Sequence, residues 1–161
     1  MTGSSTSLAT LASDLAAAFR RHDYTVEGLE RALGEEAVSA LARSDAAVVR
    51  RHARGAGAPG ALLRLFVLGD ALPRLEVESL LPATDVAAGA EAGLWEPAGD
   101  DSLRALIDLR PVDTGHGTRW VFADVDGSMV RTQTRPDHVL GVGQATLSLL
   151  RDAYQRRDKV A

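Results

Sequence analysis

Pro73-Arg74-Leu75-Glu76-Val77-Glu78-Ser79-Leu80-Leu81-Pro82-Ala83-Thr84-Asp85-Val86-Ala87-Ala88-Gly89-Ala90-Glu91-Ala92-Gly93-Leu94-Trp95 is the stretch on which the fold turns. Pro73 stands where a helix can begin, because a first-turn residue needs no N–H partner. Leu75, Val77, Leu80 and Leu81 supply an apolar face, and Pro82 ends the helix. Thr84-Asp85 caps a second helix, Val86 to Ala92, which the chain leaves at Gly93-Leu94-Trp95. After Gly99-Asp100-Asp101 the hydrophobic period falls from about 3.6 residues to about 2. Leu103, Ala105, Ile107 and Leu109 then alternate with Arg104, Leu106, Asp108 and Arg110, and Pro111 stops this strand. Asp113-Thr114-Gly115-His116-Gly117 is a loop of turn residues, followed by a second strand with Trp120 and Phe122 on one face. Asp126-Gly127 is a hairpin signal, with Ser128 to Thr132 as the returning strand. Two short helices joined by a tight turn and followed by a hairpin are the order of a winged helix, with the hairpin as its wing.

Outward from this stretch toward the N-terminus the period stays helical. Leu8, Leu11, Leu15 and Phe19 predict a first helix, with Ser5 or Ser7 as N-cap and Arg20-Arg21 favourable in the last turn. Thr25 caps a short second helix carrying Val26, Leu29 and Leu33, against the cost of Gly28 in its first turn, and Gly34 is its C-cap. Glu35 to Ala42 is a third helix with Val38 and Leu41 inward. Ser44 or Asp45 caps a fourth, running to about Ala53. Gly55-Ala56-Gly57-Ala58-Pro59-Gly60 reads as a flexible loop, and Ala61 to Leu68, apolar on most sides, as a central helix. Beyond a loop around Pro136, a last helix runs from about Val142 to Arg156. The expected fold class is mainly α with a small antiparallel β-hairpin or sheet, a helical bundle plus a winged-helix-like domain. Residues 1–134 are expected to form that domain, and residues 135–161 a connecting loop and helix.

The 161 residues suffice for one domain without a covalent staple. The composition is that of a globular protein, with 45% hydrophobic and 25% charged residues. A formal net charge of −4 argues against nucleic-acid binding driven by bulk electrostatics. The sequence has no cysteine, which excludes disulfides, thiolate zinc sites, iron–sulfur ligation and a cysteine nucleophile. Its histidines are few, and no metal site is expected. Lys159 is the sole lysine, so no other residue could form a Schiff base. Residues 1–7 carry neither a positive n-region nor an apolar h-region, and the apolar run over 61–68 is interrupted by Arg64 and far too short to span a bilayer. A cytoplasmic protein with no membrane partner is expected.

Few residues carry a chemical signature. Asp124-Val125-Asp126-Gly127 resembles part of a calcium loop, but the first and twelfth positions would be Phe122 and Gln133, and a hairpin turn fits better. Gly141-Val142-Gly143 is a fragment of a dinucleotide fingerprint whose third glycine is replaced by Thr146. Asp137 and His138 could form an acid–base pair, yet no Gly-x-Ser-x-Gly context accompanies them, and Asp137 also suits the start of the last helix. His22, His52 and His116 sit in polar surroundings and are expected to be solvated. Arg50-Arg51-His52-Ala53-Arg54 is the densest basic run. It reads as a solvated face with favourable charge at a helix C-terminus, with a phosphate or RNA contact as the lesser reading. The second helix of the winged-helix pair has Asp85 and Glu91 but no Arg or Lys, whereas a helix seated in the major groove needs donors and cations. In the expected wing, Arg104, Arg110 and Arg119 are offset by Asp108, Asp124 and Asp126. Nucleic acid is therefore not an expected partner.

The run Arg135-Pro136-Asp137-His138-Val139-Leu140-Gly141-Val142-Gly143-Gln144-Ala145-Thr146-Leu147-Ser148-Leu149-Leu150 resembles the segment just before the SAM-binding domain of actinobacterial class I methyltransferases similar to the release-factor glutamine methyltransferase type. Leu62-Leu63-Arg64-Leu65-Phe66-Val67-Leu68-Gly69-Asp70 with Pro73, Ile107-Asp108-Leu109-Arg110-Pro111 and Trp120-Val121-Phe122-Ala123-Asp124 resemble the N-terminal domain of the same proteins. That family holds SAM on an Asp-x-Gly-x-Gly turn and positions the methylated nitrogen with an Asn-Pro-Pro-Tyr-like motif, and this sequence contains neither. The resemblance implies a domain that precedes a SAM-binding domain, with Asp137, His138, Gly141 and Gly143 at the edge of the cofactor and substrate pocket of the whole enzyme. It implies no catalytic residue and no cofactor within this chain, SAM for the full-length enzyme, and a C-terminal methyltransferase domain and a protein substrate as partners. The expected function is an accessory domain that recognises or orients the substrate of a SAM-dependent methyltransferase. The alternatives are a winged-helix DNA-binding transcription regulator and a scaffold that dimerises through the helix over 61–68 or the last helix.

Overall fold

The computed structural model describes residues 7–125 and Met129. Among these residues the chain is mainly α, with small antiparallel sheets. Five helices come first: α1 (Leu8–Arg21), α2 (Val26–Leu33), α3 (Glu35–Ala42), α4 (Ala46–Ala53) and α5 (Gly57–Phe66). Their starts are fixed locally. The side chains of Ser7, Thr25 and Asp45 accept hydrogen bonds from the N–H groups of Thr10, Gly28 and Val48, satisfying donors that a helix start leaves open. Gly28 stands inside α2 for a steric reason: a Cβ there would lie 1.9 Å from the Asp23 carbonyl oxygen, so α2 can start this tightly after α1 only with glycine.

The winged-helix unit follows as β1 (Leu72–Pro73), α6 (Arg74–Leu80), α7 (Val86–Glu91), β2 (Trp95–Pro97) and β3 (Ser102–Ala105). The sheet is antiparallel in the order β1-β3-β2, and α5 supplies the helix that precedes it. Asp85 caps α7 by accepting from the N–H groups of Ala87 and Ala88. A second, two-stranded sheet pairs β4 (Ile107–Asp113) with β5 (Thr118–Asp124), joined by the Asp113–Gly117 turn.

Several sequence expectations need correction. The wing is the β2–β3 turn around Gly99-Asp100-Asp101, not the hairpin from Leu103 to Asp124. The alternation over 103–109 is split at Leu106, whose N–H bonds the Leu94 carbonyl and so carries the chain from one sheet into the other. The Gly55–Gly60 segment is not all loop, since α5 starts at Gly57 and takes Pro59 into its first turn, where no N–H partner is required. Leu75, expected inside, is 76% exposed, and Phe122 is 48% exposed. In α3 it is Ala37 and Ala40 that are buried, while Val38 and Leu41 are only partly covered, because small residues let α3 lie close against α4. Of the expected strand over 128–132 only Met129 is described, buried and in a turn; the loop around Pro136 and the last helix lie outside the described residues.

One core runs through helices and sheets. Phe19, Tyr24 and Phe66 are buried in it, and Trp120 packs against it. The Tyr24 hydroxyl donates to the Leu109 carbonyl at 2.9 Å, and the Trp120 indole N–H donates to the Tyr24 carbonyl at 2.7 Å. Burial pushes the Tyr24 phenol well above its ordinary pKa, and the nearby Asp108 carboxylate adds to the effect. The unfolded chain releases this proton above about pH 10 while the folded chain keeps it, so stability must fall by about 1.4 kcal/mol per pH unit beyond that point. Tyr24→Phe is expected to cost about 1–3 kcal/mol at neutral pH by leaving the Leu109 carbonyl unpaired, and to remove this alkaline slope. Urea midpoints at about pH 8 and about pH 11 check both effects; an unchanged slope would contradict the assignment.

Candidate partner-binding surfaces

Two features of the fold could meet a partner. The first is α7, the helix a winged helix presents outward. Its orientation is set by Trp95, whose indole N–H donates to the Val86 carbonyl at 2.9 Å and whose ring lies against Gly89. Ala87, Ala90 and Glu91 are its exposed positions. None can donate to a base edge or neutralise a phosphate. The wing beside it carries Asp100 and Asp101 at positive φ, with Asp101 held by Arg74 at 3.0 Å. This face is small and acidic where a DNA reader is basic.

The second feature is a cleft of about 180 Å³ between the helical layer and β4. Val26, Leu29 and Glu30 come from α2, Val38 and Leu41 from α3, Leu63 from α5 with Val67 just after it, and Arg110-Pro111 from β4. Arg110 is fixed by a fork of hydrogen bonds to Asp108, Nε to both carboxylate oxygens at 2.8 Å. Asp108 is 3% exposed, so this guanidinium answers a buried charge. Sequence reasoning did not find the cleft, because its walls come from residues spread between 26 and 111. The partly covered Val38 and Leu41, on a helix that faces its core with alanines, are its only local trace.

The other candidates fall as follows. Arg50 donates to Asp70 at 2.8 Å and to the Leu68 carbonyl at 3.2 Å, and Arg64 holds the other oxygen of Asp70. Arg51 and His52 both reach Glu36. Arg50, Arg51 and His52 therefore tie α4 to α3 and to the segment just after α5, while Arg54 is exposed. His22 is half-buried instead of solvated: its Nε2 lies 2.8 Å from the Leu80 carbonyl, which can only accept, so that nitrogen carries the proton. Asp124 ends β5, whereas Asp126 and Gly127 lie outside the described residues. So do Asp137, His138, Gly141 and Gly143. Among the described residues no group of three His, Asp or Glu side chains could hold a metal ion, and no helix is long and apolar enough to cross a membrane.

A family model described as a domain of unknown function, DUF7059, matches residues 21–106, which take in all of α2 to α7 and the winged-helix sheet. A protein of Mycobacterium tuberculosis (strain ATCC 25618 / H37Rv) named uncharacterized protein Rv2850c is 41% identical over 118 residues, covering 66% of this chain and 17% of that protein. This chain thus spans about a sixth of the length of that curated relative. No solved structure matches at a significant level.

Proposed function

The chain belongs to the DUF7059 family, and from that premise we propose that it is an accessory domain of a SAM-dependent methyltransferase, one that recognises or orients the substrate and does not itself catalyse. The observation that carries a recognition role is α7. A winged helix holds it outward on a fixed Trp95 anchor, yet its exposed residues suit a protein surface and offer nothing to a DNA groove. The methyltransferase part rests on the resemblance of residues 135–150. The much greater length of the mycobacterial relative fits a domain that works within a larger polypeptide. The partners in this reading are a methyltransferase domain and a protein substrate, in the cytoplasm, with SAM held by the methyltransferase domain.

Titration calorimetry tests it. This chain alone is expected to give no heat of binding with SAM, and a polypeptide joining it to a Rossmann domain with an Asp-x-Gly-x-Gly turn is expected to bind. Tight SAM binding by this chain would sink the proposal. A gel shift with double-stranded DNA at low salt is expected to show no complex; a retarded, salt-sensitive band would instead favour a transcription regulator.

A further inference from the structure

Resting on the reading of this chain as a recognition domain, we propose that the cleft between α2, α3, α5 and β4 seats one apolar side chain of a partner polypeptide that carries a lysine or arginine one helical turn away. Size sets the first limit. At about 180 Å³ the cleft slightly exceeds the roughly 150 Å³ at which a dry aliphatic cavity holds a six-carbon ring. Cofactor and drug-sized pockets run from about 300 to 1,000 Å³, so this one fits a single apolar side chain, such as a leucine, methionine or phenylalanine, and no cofactor. Chemistry sets the second. Val26, Leu29, Val38, Leu41, Leu63 and Val67 line it, and they reward apolar contact only. Val38 and Leu41 are the larger apolar residues of α3, yet the fold buries Ala37 and Ala40 of that helix and leaves these two at the cleft.

Charge sets the third limit and selects the partner. Arg110 is answered by Asp108, so that wall carries no net charge. Glu30, exposed at the mouth and without an ion-pair partner among the described residues, supplies the unbalanced one. An apolar bowl with one carboxylate at its rim complements an amphipathic helix whose anchor residue is followed three or four positions on by a cation. An anionic neighbour to the anchor would be repelled.

The probe is a synthetic amphipathic peptide of leucine and lysine, with the same peptide carrying glutamate for lysine as its counterpart. Each is titrated into the methyl-labelled 161-residue chain. The lysine peptide is expected to shift the methyl resonances of Val26, Val38, Leu41 and Leu63, and to bind at least tenfold more tightly than the glutamate peptide. Glu30→Gln, a surface change that leaves the fold intact, should remove most of that preference. Leu41→Trp should fill the cleft and abolish the methyl shifts. Equal binding of the two peptides, binding of neither, or shifts confined to other surfaces would overturn the proposal. So would contacts in the free chain between cleft methyls and residues 130–161, since the chain would then occupy its own cleft. The SAM titration uses a different ligand. Peptide binding with a failed SAM result removes only the methyltransferase reading, and the reverse pair of results removes only the cleft proposal.

Discussion

Phe19→Ala is expected to cost about 3–5 kcal/mol, the range for truncating a buried aromatic ring. Phe19 is 1% exposed, and its ring meets three others: Tyr24 at 5.2 Å between centroids, Trp120 at 5.5 Å and Phe66 at 5.8 Å. Those three rings lie just before α2, on β5 and at the end of α5, so one side chain of α1 joins the helical layer to the β4–β5 hairpin. The Phe66 contact is edge-on, at 84° between planes, a geometry favoured by ring electrostatics beyond area burial. A domain of this size is stable by only about 5–15 kcal/mol, so the loss would be a large share of the whole. Urea unfolding should show a lower midpoint with an unchanged slope. Phe19→Leu, which keeps part of the volume, should recover more than half of the loss. A cost below about 1 kcal/mol for the alanine variant would mean the site collapses around the gap and that Phe19 is not the junction.

The contrast between what could and could not be read from the chain follows from range. The caps were legible because capping is local: Ser7, Thr25, Asp45 and Asp85 each bond an N–H two or three residues on. The apolar faces of α1 and α2 followed from the period, since Leu11, Leu15, Phe19, Leu29 and Leu33 are all buried. The helix pair and its turn were legible for the same reasons. Strand β2 was not. Trp95-Glu96-Pro97 is too short to show a period and ends on proline, and it is a strand only because β3 lies beside it. The break at Leu106 was hidden because the alternation runs through it unbroken, while its cause is a hydrogen bond back to Leu94. Hence the period points to a wing one hairpin too late in the chain. In α3, the choice between the Ala37–Ala40 and Val38–Leu41 faces depends on how near α4 comes, and no window on α3 alone contains that distance. The cleft is the extreme case, assembled from four elements and absent from every local pattern.

Gly89→Ala should lower stability by about 1–3 kcal/mol, although alanine in place of glycine within a helix ordinarily raises it by about 0.5–1 kcal/mol. The sign is decided by Trp95. A Cβ on Gly89 would stand 2.2 Å from Cζ2 of the indole and 2.7 Å from Cε2. The ring cannot swing aside, because it is 1% exposed and its N–H is held by the Val86 carbonyl at the start of the same helix. Helix and ring must therefore part, and the hydrogen bond with them. Trp95→Ala should cost more, about 3–5 kcal/mol, through the cavity and the Val86 carbonyl that loses its donor. In the double variant the steric penalty vanishes, since there is no ring to strike, and alanine at position 89 should regain its ordinary helix advantage. The cycle should then show a coupling of about 1.5–4 kcal/mol between two residues six apart in sequence. Thermal or urea unfolding of the four proteins measures it. Additive effects would mean that the ring and the helix move independently. In that case Trp95 could not be the anchor that holds α7 outward, and the recognition role built on that helix would lose its support.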